Sequence, residues 1–244
     1  MTLSIMFLAC HRPAYCEKAL STLVTNTDWA KVESFYIMQD YGTESGGGQI
    51  EALFHNFLSL WRPHKPCAFL KKHSACYGGP IPAMLEFLRV CRSDILVKID
   101  EDTLMPPGWL DHILRLITPL HRARVAIGLE PFKGYSLDCS EPRTLIPANR
   151  PVGGLFAIPR RLFLDHPLKV SGRIYDGWYE WQLENHANFI PLWLSPGLPV
   201  CLLDRIPSGP WRDLGAQYEQ AGLQRPWKRY NPDADLWRMY GLEP

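Results

Sequence analysis

A chain of 244 residues with 26 Lys and Arg against 25 Asp and Glu has a net charge of +1, so no global field favours nucleic acid or an anionic membrane. Its hydrophobic share of 46% is ordinary for a globular protein, and 28.0 kDa is enough to bury a core without disulfides or metals as staples. No run of about 18 apolar residues occurs, which speaks against a membrane span.

The seven cysteines, at 10, 16, 67, 76, 91, 139 and 201, include no C-x-x-C pair. An odd count without pairing suits reduced, mostly buried thiols in a cytosolic protein. Cys10 and Cys16 flank His11, but no further ligands complete a zinc spacing. Leu3 to Leu8 is too short to span a bilayer and lacks the basic flank of a signal peptide. The expectation is a cytoplasmic protein, with peripheral docking on a membrane left open. Aromatics at 12% suit stacking on sugars or bases, and equally a well-filled core, their commoner use.

Leu3 to Leu8 reads as a buried first strand, and Ala9 to Arg12 as a loop. Pro13 stands where a first helical turn accepts proline. The helix predicted over 14–24 turns Tyr15, Ala19, Leu20 and Leu23 toward a sheet. A second strand over 34–38 ends at Gln39 and Asp40, and Tyr41 to Gly48 is a glycine-rich loop. Ile50 to Trp61 has helical spacing, Cys67 to Leu70 is a third strand, Pro82 to Cys91 a helix and Ile95 to Ile99 a fourth strand. Strands alternating with helices predict an α/β domain with a mostly parallel sheet flanked by helices.

The second half is less regular. A helix is predicted over 109–117, a strand over 124–127 and an extended excursion over 131–151. Gly153 and Gly154 lead into a strand ending at Ile158, and a short helix covers 159–163. A helix over 176–188 and a last strand over 199–203 follow. The tail beyond 207 holds Trp211, Trp227, Tyr230, Trp237 and Tyr240.

The most informative stretch is Ile95 to Thr103, where an apolar run ends abruptly in Asp100, Glu101 and Asp102. Side chains alternate along an extended chain, so Asp100 and Asp102 share a side and Glu101 points away. Two hard oxygen donors at a strand end suit Mg²⁺ or Mn²⁺ carrying a diphosphate. An ordinary acidic turn is the plain alternative, because Asp-x-Asp alone is a weak signal. In open α/β sheets, ligands sit beyond the carboxyl ends of the strands. His11 and Arg12, Asp40, and the acidic cluster all fall at such ends.

In this order, His11-Arg12-Pro13, Gln39-Asp40, Asp100-Glu101-Asp102, Gly153-Gly154-Leu155-Phe156 and Asp176 opening a helix, the chain resembles a GT-A-fold glycosyltransferase of the family 2 type. The resemblance covers roughly residues 3 to 205. It implies a Rossmann-like GT-A domain over 1–206, with a nucleotide-binding part to about 105 and an acceptor part from about 106. An aromatic-rich extension over 207–244 would pack on it. It also implies transfer of a sugar from a nucleotide-diphosphate donor to an acceptor hydroxyl, with inversion, aided by Mn²⁺ or Mg²⁺. The acceptor would be a glycan, a lipid-linked sugar or another hydroxyl.

Carried over residue by residue, the resemblance sets Ala9, His11 and Arg12 against the nucleoside and Asp40 on its base. Asp102 becomes the direct metal ligand, and Asp100 stands nearer the ribose or a metal water. Glu101 belongs to the same donor motif. Gly153 and Gly154 lie beside the sugars, and Asp176 is the catalytic base. Glu180, one helical turn on, is the competing base, and a solvated acidic face is the plain alternative for both. The family often shows Glu-Asp where Tyr175-Asp176 stands here, and its usual basic residue in that helix is missing. A metal-binding His after the last strand is also absent; Asp204 stands closest to that place and is a candidate third ligand. Lys98 and Arg12 are candidates for holding phosphate, and Trp178 and Trp181 for stacking on sugar.

Three other classes compete. Residues 224–230 interleave cations with aromatics, which suits a sugar transferase acting on DNA; the near-neutral charge disfavours nucleic acid as partner. A nucleotidyltransferase would carry a Gly-rich basic loop where Ala9 to Pro13 stand. A non-catalytic carbohydrate- or nucleotide-binding protein of the same fold stays open, since fold does not dictate function.

Overall fold

The computed structural model describes residues 1–9, 13–40, 47–61, 67–72, 81–120, 125–129, 145–147, 153–168, 190–194 and 201–202. The first half alternates strand and helix: β1 (Leu3–Ala9), α1 (Pro13–Asn26), β2 (Ser34–Asp40), α2 (Gly47–Trp61), β3 (Cys67–Lys72), α3 (Ile81–Val90) and β4 (Ile95–Asp100). The second half runs β5 (Thr103–Leu104), α4 (Trp109–Leu120), β6 (Val125–Leu129), β7 (Leu145–Pro147), β8 (Gly153–Pro159), α5 (Arg160–Asp165), β9 (Ile190–Leu194) and β10 (Cys201–Leu202).

The described strands form an eight-stranded sheet in the order β3-β2-β1-β4-β8-β6-β9-β7. β3, β2, β1 and β4 are parallel neighbours. β8 then runs antiparallel to both β4 and β6, β9 is parallel to β6, and β7 is antiparallel to β9. The mostly parallel sheet of the sequence reading therefore describes the β3-to-β4 side, and beyond β4 the sheet is mixed. β5 and β10 make a separate antiparallel pair.

All seven residues of β1 are buried. Its continuous apolar run is what a strand covered on both faces requires. Alternation sends Ile5, Phe7, Val97 and Ile99 into a core with α1, α2 and α4, whereas Met6, Leu8, Leu96 and Phe156 pack against α3 and α5. Phe7 meets Phe54 of α2 edge-to-face, with ring centroids 6.2 Å apart. α1 buries Tyr15, Cys16, Ala19, Leu20 and Leu23, the predicted face plus Cys16. Pro13 is its first residue, where a missing N–H costs nothing.

Helix α2 begins at Gly47, inside the glycine run read as loop. Tertiary packing of Ile50, Phe54 and Leu58 outweighs the helix cost of glycine there. β5 and β9 have no counterpart in the sequence reading. β5 is two residues long and exists through its pairing with β10, Cys201 opposite Leu104 and Leu202 opposite Thr103. The excursion over 131–151 contributes β7; its remaining residues, and the predicted helix over 176–188, lie outside the described residues. At the amino ends of the strands the Ser4 hydroxyl meets those of Ser34 at 2.5 Å and Ser93 at 2.6 Å, a buried polar cluster opposite the acidic edge.

Candidate functional site

The parallel register brings the carboxyl ends of β1, β2 and β4 to one edge. Ala9 lies opposite Gln39, the residue before Asp40, and Leu8 lies opposite Asp100. β8 runs the other way, with Phe156 opposite Lys98. Its amino end, carrying Gly153 and Gly154, therefore heads for the same edge. Ala9, Asp40, the acidic cluster and the glycine pair thus share one edge of the sheet. His11, Arg12, Asp176, Trp178, Glu180 and Asp204 lie outside the described residues.

The acidic cluster is a turn, not an extension of β4. β4 ends at Asp100, Glu101 and Asp102 turn, and β5 starts at Thr103. Helix α1 holds this turn from below. The Cys16 thiol donates to Glu101 Oε2 at 3.3 Å. The Thr22 hydroxyl accepts from the Met105 N–H at 3.1 Å, and the Asn26 amide donates to the Met105 carbonyl at 2.7 Å. One helical turn further, the Trp109 indole N–H donates to Thr27 Oγ1 at 3.0 Å. These contacts tie Glu101 and the residues that follow the acidic turn to α1 and its C-terminal end, which limits the backbone freedom of the turn.

The three acids have different surroundings. Glu101 is 3% exposed and faces the α1 layer, opposite to Asp100, as alternation predicts. Asp102 is 9% exposed, with the Thr103 hydroxyl 3.4 Å from its Oδ1. Asp100 keeps 27% exposure and pairs through Oδ1 with the Lys98 ammonium. Burial pushes the Asp100 carboxyl up to about 6; Lys98 pulls it down, and the charges of Asp102 and Glu101 push it further up.

Lys98 is buried, with its ammonium 5.6 Å from the centroid of the Phe156 ring. The sequence offered Lys98 as a candidate for holding phosphate; its burial and its pairing with Asp100 come from the fold. The roles of Cys16, Thr22 and Asn26 were not legible in the sequence: Thr22 and Asn26 share a face of α1 at a spacing of four residues, but Cys16 lies about a third of a turn away from Thr22.

Among the described residues, no group of three or more His, Cys, Asp or Glu converges to hold a metal ion. Mg²⁺ and Mn²⁺ with a nucleotide need fewer protein ligands. Such ions bind through one or two carboxylates and take their other oxygens from water and phosphate. Asp102 and Asp100, two hard donors at the end of one strand, fit that demand.

No family model matches the chain, and no curated protein matches it in sequence. Solved structures match it in fold. The crystal structure of S. aureus TarS 1–349 in complex with UDP has a TM-score of 0.58 and 14% identity, covering 80% of this chain and 58% of that one. The crystal structure of GalNAc-T7 with UDP, GalNAc and Mn²⁺ has a TM-score of 0.56 and 14% identity, covering 80% of this chain and 43% of that one. The chain spans about half the length of these structures. The fold is the GT-A type of glycosyltransferases, in agreement with the resemblance in the sequence.

Proposed function

We propose that the chain is a metal-dependent glycosyltransferase that moves a sugar from a nucleotide-diphosphate donor to an acceptor hydroxyl, with inversion. One observation carries the reading. On a GT-A-type sheet, the acidic turn with Asp100 and Asp102 is tied down at the edge shared by Ala9, Asp40 and the glycine pair. The solved structures of similar fold include one with UDP and one with UDP, GalNAc and Mn²⁺.

In this reading Asp102, and Asp100 beside it, hold Mn²⁺ or Mg²⁺. The ion, when bound, neutralises charge on the departing diphosphate, worth several kcal/mol. The chain's own residues do the rest. Ala9 with the loop His11-Arg12, and Asp40, orient the nucleoside; Gly153 and Gly154 let sugars approach bare backbone. Asp176, or Glu180 one turn on, takes the acceptor proton, a step worth about 10² to 10⁴ in rate. Asp204 is a further candidate ligand and Trp178 a candidate sugar platform. The acceptor part over 106–206 and the extension over 207–244 would shape the acceptor site. No helix among the described residues is long and apolar enough to cross a membrane.

The test is thermal stability against UDP, GDP, ADP, CDP and dTDP, each with and without Mn²⁺. A ligand of the native state raises the melting temperature by mass action. A shift that needs Mn²⁺, favours one nucleotide and disappears in Asp102→Ala is expected. No shift with any of the five would sink the donor-site reading.

A further inference from the structure

Lys98 is the unexplained charge of this edge. It lies on the central strand β4, between Met6 of β1 and Phe156 of β8. Its side chain is 5% exposed and lines a small apolar cavity with Met84, Phe87, Leu96 and Phe163. A methionine there would fill the same wall without removing a charge from water, which is unfavourable for an ammonium. Packing therefore gives no reason for a lysine at this place. The reason lies two residues on, where the same face of the strand carries Asp100 and the ammonium meets Oδ1.

We propose that Lys98 is a positioning residue of the donor site: it acts through Asp100, holding that carboxylate at the strand end, and does not touch the donor phosphates. The proposal rests on the donor-site reading above. Three features support it over direct phosphate binding. The ammonium is buried under the edge. Its ion-pair partner belongs to the acidic motif itself. The Phe156 ring lies within the reach of a cation–π contact and favours the charge where it is. With Oδ1 taken by the pair, a metal-bound water meets Asp100 through Oδ2. Held by a charge from below, the carboxylate needs no reordering when the ligand arrives, which is the physical content of preorganisation.

A double-mutant cycle tests this. Mn²⁺-dependent and Mn²⁺-independent binding of the five nucleoside diphosphates is measured by calorimetry for wild type, Lys98→Met, Asp100→Asn and the double variant, with melting temperatures for each. Lys98→Met is expected to weaken Mn²⁺-dependent binding about tenfold, the loss for one charge-assisted hydrogen bond. It should leave Mn²⁺-independent binding intact. In the Asp100→Asn background the same change should cost almost nothing. Additive losses in the two variants, or loss of Mn²⁺-independent binding, would show that Lys98 reaches the phosphates directly and overturn the proposal. Unchanged binding in a folded Lys98→Met would overturn it as well. Should Lys98→Met not fold, Lys98→Leu, which likewise removes the donor to Asp100, is carried through the same cycle with the same criteria. A wild-type protein that binds none of the five nucleotides refutes the donor-site reading instead, and that outcome is visible before any variant is made.

Discussion

The Asp100 carboxyl offers a test of the acidic turn that needs no knowledge of the substrate. It is pushed from 3.8 up to about 6, first by burial, against the pull of Lys98. Between those two pH values the folded protein keeps a proton that the unfolded chain has lost. The contribution of this group to stability is then fully present below about pH 4 and is lost as pH rises through about 6. The displacement corresponds to about 3 kcal/mol. That is a ceiling, because the side chain keeps 27% exposure and water relieves part of the burial cost. The perturbation is Asp100→Asn, which removes the titration and little volume. Urea denaturation of both proteins at closely spaced pH values from 4 to 7 gives two stability profiles. The wild-type profile should fall relative to the variant by up to about 3 kcal/mol across the window. Parallel profiles would refute the reasoning and put Asp100 in contact with bulk water.

Catalysis and packing supply further tests. Asp176→Asn should abolish sugar transfer while donor binding survives; near-normal turnover would remove Asp176 as base and direct attention to Glu180. Trp109→Phe removes the indole donor to Thr27 and part of a fully buried ring. It should cost about 1–3 kcal/mol in chemical denaturation. Phe54→Ala opens the core beneath β1 and should cost about 3–5 kcal/mol, read by the same assay. Cys16 and Cys91 are buried cysteines. Mass spectrometry should find both unlabelled by a thiol reagent in the native state and labelled once the chain unfolds.

Much of the fold was legible because the first half is locally consistent. Apolar runs of strand length alternate with amphipathic helices, and Pro13 marks where α1 begins. The boundaries of β2 and β3 extended two residues beyond the apolar runs, to Asp40 and Lys72, because a parallel neighbour pairs with polar residues as readily as with apolar ones. The edge where candidate residues gather was legible for the same reason: it follows from strand direction alone.

The sequence by itself determined the periodicity, and with it the α/β class, the face of α1 and the opposite facing of Asp100 and Glu101. Only the tertiary structure decided what depends on partners far along the chain. β8 inserts antiparallel beside β4 and brings Gly153 and Gly154 to the acidic edge. Cys16 meets Glu101 across 85 positions, and Asn26 meets Met105 across 79. β5 exists through β10. Lys98 is buried because α3 and α5 cover its face of β4 with Met84, Phe87 and Phe163. Local spacing carries no information on such pairings, since each is set by which surfaces the closed core leaves adjacent. The acidic residues are written in the chain; their fixed positions are a property of the packed fold.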